Sequence, residues 1–435
     1  MLDAYADPWR ERGQWWGDAY VIDHANRAAF GDTGLLKRGV LFMADAITER
    51  AAAGIAPNPL GTNMLDYAML WLHSLAEYYY LTLDTAFLKA RFPAVKRLML
   101  LLASYENKST SLLDLPRTSW GLTAYIDPRG ESSRYGQSTA LNALYFSTLL
   151  QASSLADLSG DPAQADRWRN KADEVQVNLN NHLFIPEQHR YKSNLYQGVA
   201  SPPTPHAQAW PLAYGLVSRE EQPKVTAALL ELLPVDPEQP TLDIYGMFWV
   251  LEALGKNGHI AAGLQIIRTY YGHLLVKGAT TWWERFDADQ LYPASLSHGW
   301  GSAPTWFLTT YVLGASRTGK DSWQLAPPLD SLAFVAGSLP LRSGALQARW
   351  ERPSCNEASL SFNAPAGSYG EIRLPYTGKT MQVKLDDEII WENGEALVEG
   401  ITLNNAKLVF SSGDGAHIVL IQQACNTLYA PMITR

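Results

Sequence analysis

From about residue 16 to about residue 318 the apolar side chains recur three and four positions apart, so this stretch is committed to helices that bury one face. In 138–158, Leu141, Leu144, Tyr145, Thr148, Leu149, Ala152, Leu155 and Ala156 share a face, and Met64, Ala68, Trp71, Leu72, Leu75 and Tyr79 do so in 64–81. The junctions are equally regular. FGDTG around Asp32, LTLD at Asp84 and LSGDP at Asp161 each read as the close of one helix and the cap of the next. Asp accepts main-chain N–H bonds at an N-cap, and Pro162 suits a first helical position. SREE from Ser218 has the capping-box form, and GKNG around Gly258 follows another apolar helix. Such junctions predict roughly a dozen helices stacked as hairpins.

Long polar loops lie between successive hairpins: IAPNPLGTN, DLPRTSWGLTAYIDPRGESSRYG, QGVASPPTPHAQ and TTWWERFDADQLYPASLSHGWGS. Loops of this length in a compact domain are more often functional than decorative. If the hairpins close into a ring, these loops gather at one end. After about residue 325, at LAPPLDSL, the period changes. Leu346, Ala348 and Trp350 alternate, as do Leu360 and Phe362, Ile372 and Leu374, and Met381, Val383 and Leu385. These are half-buried strands. The expected organisation is a mainly α chain, with stacked helical hairpins over 1–324 and a small antiparallel β-sandwich over 325–435.

With 435 residues, 47% hydrophobic and 18% charged, the chain can bury a core without metal or disulfide staples. A net charge of −8 argues against a nucleic-acid partner, which would need clustered Lys and Arg. No run approaches eighteen apolar residues, and MLDAYADPWRERGQ lacks the pattern of a secretory signal, so no membrane partner and a cytoplasmic location are expected. Cys355 and Cys425 read as structural thiols, with a bridge between them left open. There is no HExxH, no G-x-S-x-G and no D-x-D-x-D-G loop, so neither a metal nor another cofactor is expected. The 15 Trp and 21 Tyr are mostly core, though flat faces with a polar edge also suit sugar rings.

Two clusters could carry chemistry. The first is Asp7-Pro8-Trp9-Arg10-Glu11-Arg12-Gly13-Gln14-Trp15-Trp16-Gly17-Asp18. The second is Gly278-Ala279-Thr280-Thr281-Trp282-Trp283-Glu284-Arg285-Phe286-Asp287, followed by Ser297-His298-Gly299-Trp300-Gly301. Taken singly, the first could be an exposed charged arm and the second a structural network in which Glu284 pairs with Arg285 or another basic residue. Taken together, two carboxylates set among aromatics on different loops match glycoside hydrolysis, which needs an acid for the leaving oxygen and a second carboxylate.

The two segments resemble the signatures of the inverting α-L-rhamnosidases of glycoside hydrolase family 78. Members commonly read D-C-P-x-R-(D)-E-R-x-G-W-x-G-D near the barrel entrance and T-x-x-W-E-R-(W/F)-D late in it, with Ser-x-x-His beyond. The resemblance implies an (α/α)6 six-hairpin barrel followed by a β-sandwich, covering nearly the whole chain. It makes Glu11 the general acid and Glu284 the general base that activates water. It also implies that Arg10, Trp15 and Asp18 line the sugar subsite, that His298 bonds a sugar hydroxyl, and that Trp120 and Trp283 supply aromatic faces. Counting back from Pro8, the family's leading Asp falls on Ala6 and its Cys on Asp7, so Asp7 takes the binding role by a slip of one residue. The segment Asn63 to Tyr67 lacks a Trp-Gly-Asp pattern, leaving Asp66 and Tyr67 as pocket candidates. Members usually carry β domains ahead of the barrel, whereas here the first motif begins within a few residues of Met1, as in a stripped catalytic unit or a fragment.

The expected substrate is a rhamnosylated carbohydrate, and inversion would set the two carboxyls about 6.5 to 9.5 Å apart. Two other readings stand beside it. One is a rhamnose-uronate lyase, with Arg117, Arg129 and Arg134 available to neutralise a substrate carboxylate. The other is a glycan-binding homologue without turnover. A homodimer is expected if an apolar flank of the barrel is left bare.

Overall fold

The computed structural model describes residues 5–7, 10, 13–58, 61–118, 123–329 and 332–423. By contact the chain divides into two compact units. One comprises Met1–His24, Thr33–Tyr79 and Leu83–Pro304, and the other Ala25–Asp32, Tyr80–Thr82 and Thr305–Arg435.

The helices follow one another as pairs joined by short turns. These are α1 (Trp16–Ala29) with α2 (Gly34–Ala46), α3 (Leu65–Thr82) with α4 (Thr85–Ser104), and α5 (Thr139–Ser159) with α6 (Pro162–Leu183). They continue with α7 (Pro205–Ala213) and α8 (Gln222–Leu232), then α9 (Met247–Lys256) and α10 (Ile260–Ile266). A π turn, Ile267–Tyr271, carries α10 into α11 (Gly272–Val276), and α12 is Ala303–Phe307.

Burial separates inner from outer members. Every residue of α7 is buried, and so is α9 up to Gly255, whereas α6 buries only Ala165, Ala172, Val175, Leu179 and Leu183, a single stripe. A helix apolar on all sides belongs inside and a striped one outside. The inner helices close on one another in turn. Trp16 Nε1 donates to Ser74 Oγ (3.2 Å), His73 Nε2 lies 3.2 Å from Thr148 Oγ1, and α5 packs on α7. Trp210 stacks on Trp249 at 4.5 Å, and Phe248 meets the edge of Tyr20 at 5.7 Å. The chain is thus a helical-hairpin barrel with a β domain, the hairpins and strands following the periodicity and the ring closed by these contacts.

The helix ends show where cap chemistry was read well and where it was not. Asp84 and Asp161 are N-caps whose side chains accept from Phe87 N (3.0 Å) and Gln164 N (3.3 Å). Gly160 closes α5 in the left-handed region (φ +86), which costs glycine no Cβ clash. At the first junction the N-cap is Thr33 and not Asp32, with no side-chain cap bond. At SREE, α8 begins at Gln222 behind Glu221. Ser218 contributes its carbonyl, which accepts from Glu221 N and Gln222 N (both 3.0 Å), rather than a capping hydroxyl. The loop after α6 is also more regular than expected. The hairpin Asn194–Tyr196 and Val199–Ala200 pairs with Gln137–Ser138.

In the second unit, a seven-stranded sheet runs Glu395–Ala396, Glu388–Glu392, Gln382–Leu385, Gly415–Gln422, Glu357–Ala364, Gly344–Glu351, Phe334–Leu341. A five-stranded sheet runs Thr402–Asn404, Lys407–Ser412, Tyr369–Pro375, Ser322–Leu325, Ala315–Arg317. Leu346, Ala348, Trp350, Leu360 and Phe362 of the first share a core with Ile372, Leu374, Leu408 and Phe410 of the second. The expectation of a wholly antiparallel sandwich is corrected at one place, where Tyr369–Ile372 pairs in parallel with Ser322–Leu325. Cys355 is disulfide-bonded, and Cys425 lies outside the described residues.

Candidate active site

Short turns join each inner helix to its outer partner, and long loops lead from an outer helix to the next inner one. The side chains that could do chemistry therefore stand at the N-terminal ends of inner helices, where the exposed N–H groups favour negative charge. Asp7 and Arg10 precede α1, Asp66 is in the first turn of α3, Asp127 and Arg129 precede α5, Asp243 precedes α9, and Glu284 and His298 precede α12.

Glu284 is fixed from four directions. Its N–H donates to Ser295 O (2.8 Å), and its carbonyl accepts from Trp300 Nε1 (2.8 Å). Its Oε2 accepts from Ser295 N (2.6 Å) and from Arg10 Nη2 (2.9 Å), while Oε1 accepts from neither donor. Arg10 also donates from Nε to Asp7 Oδ2 (3.0 Å), from its main-chain N to Asp7 Oδ1 (2.6 Å), and from Nη1 to Pro293 O (3.1 Å). Asp7 is fully buried, and a carboxylate there would be costly without that guanidinium. Asp7 and Arg10 are not an exposed arm, since Asp7 is buried and both are hydrogen-bonded, and the basic partner of Glu284 is Arg10 of the other cluster.

His298 completes the cluster. Its N–H donates to Trp282 O (2.8 Å), its Nε2 lies 3.5 Å from Asp18 Oδ1, and its ring rests on Trp300 at 4.3 Å. Burial pulls its pKa down to about 3, with Asp7 opposing and Arg10 reinforcing, so the imidazole is neutral at neutral pH. Its Nδ1 is buried without a hydrogen-bond partner among the described residues. Asp7, Glu284 and His298 each bring a ligand-type atom within 4.8 Å of the others, a spacing open to a cation. Arg10 already bonds both carboxylates, so positive charge is supplied without one.

Aromatic rings wall this region. Tyr125 stacks on Trp300 at 6.1 Å, Tyr245 lies 4.9 Å from Trp300, and Tyr67 packs against both tyrosines. Burial raises the pKa of Tyr67, Tyr125 and Tyr245, which keeps all three phenols protonated. Trp15 joins edge-on to Tyr67 at 6.4 Å.

The other candidates divide. Asp66 is buried, and its Oδ2 accepts from Tyr125 N and Ile126 N (both 2.8 Å), so it holds the loop that carries Tyr125. Trp283 is buried, with the Lys277 ammonium 6.0 Å from its ring centroid. Glu11 and Trp120 lie outside the described residues.

The sequence reading gave no site role to Ser295, Trp300, Tyr125 or Tyr245, and it did not see a second charged cluster assemble. Asp243, side chain fully buried, accepts on Oδ1 from Ile244 N (2.9 Å) and Phe286 N (3.0 Å). Its Oδ2 meets Arg129 Nε (3.0 Å) and Arg285 Nε (3.3 Å). Arg129 Nη2 also reaches Asp287 (2.6 Å), and Asp127 accepts from the main chain of Arg129, Asp243 and Gly246 beside His206. Burial and the Asp127 charge push Asp243 up to about 6. The one available signal was the acid and Arg content of three loops far apart in sequence.

The arginines of the lyase reading are engaged within the chain. Arg129 bonds Asp243 and Asp287, Arg134 donates to Pro128 O and Asp127 O, and Arg117 pairs with Glu131.

The family of the bacterial alpha-L-rhamnosidase 6 hairpin glycosidase domain matches residues 1–312. Among solved structures, a family 78 rhamnosidase of Bacillus sp. GL1 superposes with a TM-score of 0.74 at 24% identity, over 85% of this chain and 39% of its own. The α-L-rhamnosidase of Dictyoglomus thermophilum gives 0.74 at 19% identity, over 95% and 46%. That of Streptomyces avermitilis, solved with L-rhamnose, gives 0.72 at 18%, over 95% and 38%. This chain therefore spans less than half the length of these structures. No curated protein matches it.

Proposed function

Because the chain belongs to the bacterial α-L-rhamnosidase six-hairpin glycosidase family, we propose that it hydrolyses terminal α-L-rhamnosides with inversion at the anomeric carbon. Glu284 takes the proton from the attacking water. Glu11, next in sequence to Arg10, protonates the leaving oxygen.

The observation that carries this reading is the way Glu284 is held. A main-chain N–H and a guanidinium both bond Oε2, which orients the carboxylate and leaves Oε1 for a water. The neutral His298 beside it has a buried Nδ1 unfilled among the described residues, as suits a sugar hydroxyl. Rhamnose has a methyl group where most hexoses have a hydroxymethyl, and the Tyr125, Tyr245 and Trp300 wall offers apolar surface for it. The Streptomyces relative binds the same sugar.

Two variants test the roles on aryl α-L-rhamnosides. Glu284→Gln and Glu11→Gln should each lower kcat by roughly 10²–10⁴-fold. The loss in Glu11→Gln should shrink as the phenol becomes a better leaving group, since less protonation is needed, while that in Glu284→Gln should persist. Near-wild-type turnover by Glu284→Gln would overturn the assignment.

A further inference from the structure

Asp243 has no place in the proton transfers above, yet both of its oxygens are engaged. One oxygen takes two main-chain N–H groups and the other faces two guanidinium Nε atoms, so its lone pairs are directed at Ile244, Phe286, Arg129 and Arg285. Phe286 lies two residues beyond Glu284. Its ring is buried against Tyr270 and Tyr271, so the main chain there is held from both sides. Arg285, adjacent to Glu284, is drawn to Asp243 and Asp287 and away from the Glu284 carboxylate. Arg129 comes from the loop before α5 and clasps Asp243 and Asp287 together. Three loops that meet nowhere in sequence are thereby locked at the residues following Glu284.

We propose that Asp243, with Arg129 as its partner, is a positioning residue for Glu284: it fixes the main chain just past the base and so sets where the Glu284 carboxylate stands. The inference rests on Glu284 being the base. A displacement of about 1 Å in a reacting group can cost about 100-fold in rate, whereas Asp7 and His298, the residues proposed to hold the sugar, make none of the clasp's hydrogen bonds among the described residues. The signature is a loss in kcat with little change in KM.

The experiment is steady-state kinetics of Asp243→Asn and Arg129→Lys over a series of aryl α-L-rhamnosides, at a temperature where both variants are folded by circular dichroism, beside Glu284→Gln. Asp243→Asn should lower kcat about 10- to 100-fold, with KM and the Kd of L-rhamnose within threefold of wild type. Because the defect is on the base side, the loss should be the same for good and poor leaving groups. Arg129→Lys keeps the charge but not the fork, and should fall between wild type and Asp243→Asn. If Asp243→Asn does not fold, Arg129→Lys carries the same test. Wild-type kcat in the folded variants, or a loss that disappears with the best leaving group, would overturn the proposal while Glu284→Gln stays inactive. An active Glu284→Gln would instead overturn the reading beneath it.

Discussion

At the scale of single residues, the barrel's polar interior is set up for groups that are neutral or already paired. His298 and His73 are buried histidines. Burial holds the first at about 3 and the second at about 4, with Lys256 and His24 adding to the effect at His73 and Glu77 opposing it. The sign follows from linkage. Between pH 6.5 and those values the unfolded chain binds a proton that the fold refuses, so stability falls as pH drops. Each histidine contributes a slope of about 1.4 kcal/mol per pH unit. From pH 6.5 to 5, His73 alone should cost about 1.6 kcal/mol, and His73→Gln should lose that much less over the same interval. Urea midpoints at the two pH values measure it, and equal acid losses in wild type and variant would contradict the assignment.

At the scale of elements, the fit of α1 against α3 and the Tyr245 loop determines whether the site is assembled. Gly17 sits one residue before Asp18, where a Cβ would stand 2.3 Å from Tyr67 Cε1 and 2.5 Å from the Tyr245 hydroxyl. Alanine in a helix gains about 1 kcal/mol over glycine, but forcing a methyl into a packed interior costs about 1–3 kcal/mol. Both tyrosines are buried and walled in, so the cost should win. Gly17→Ala is expected to lower the denaturation midpoint and also kcat/KM, and an unchanged or more stable variant would show that the tyrosines can yield. Nothing local announced this contact. The sequence did disclose the helix faces, because the 3.6-residue period is a property of each helix alone. Closure of the ring depends on pairs such as Trp210 with Trp249, which periodicity cannot pair. Helix starts were legible where a side chain caps, as at Asp84 and Asp161. They were not where a carbonyl does the work, as at Ser218.

For the whole molecule, the site is a product of topology. Alternating short turns and long loops bring Asp7, Arg10, Glu284 and His298 together from the two ends of the helical stretch, and the two motif clusters were visible because each is dense in acids, Arg and Trp. The supporting groups were not. Asp127 and Arg129 share one loop and Asp243 stands alone in another, so their joint role emerges only when the loops converge on the segment after Glu284. The β domain was legible from alternation at Leu346, Ala348 and Trp350. The strands Ala315–Arg317 and Ser322–Leu325 are too short to show a period, and with them the parallel pairing was hidden. The central claim is hydrolysis with Glu284 activating water on the face opposite the leaving group, and it fixes the stereochemistry of the product. Proton NMR of the first minutes of aryl α-L-rhamnoside hydrolysis should show β-L-rhamnose forming first and mutarotating afterwards. Initial release of α-L-rhamnose, or of no free sugar, would contradict the account.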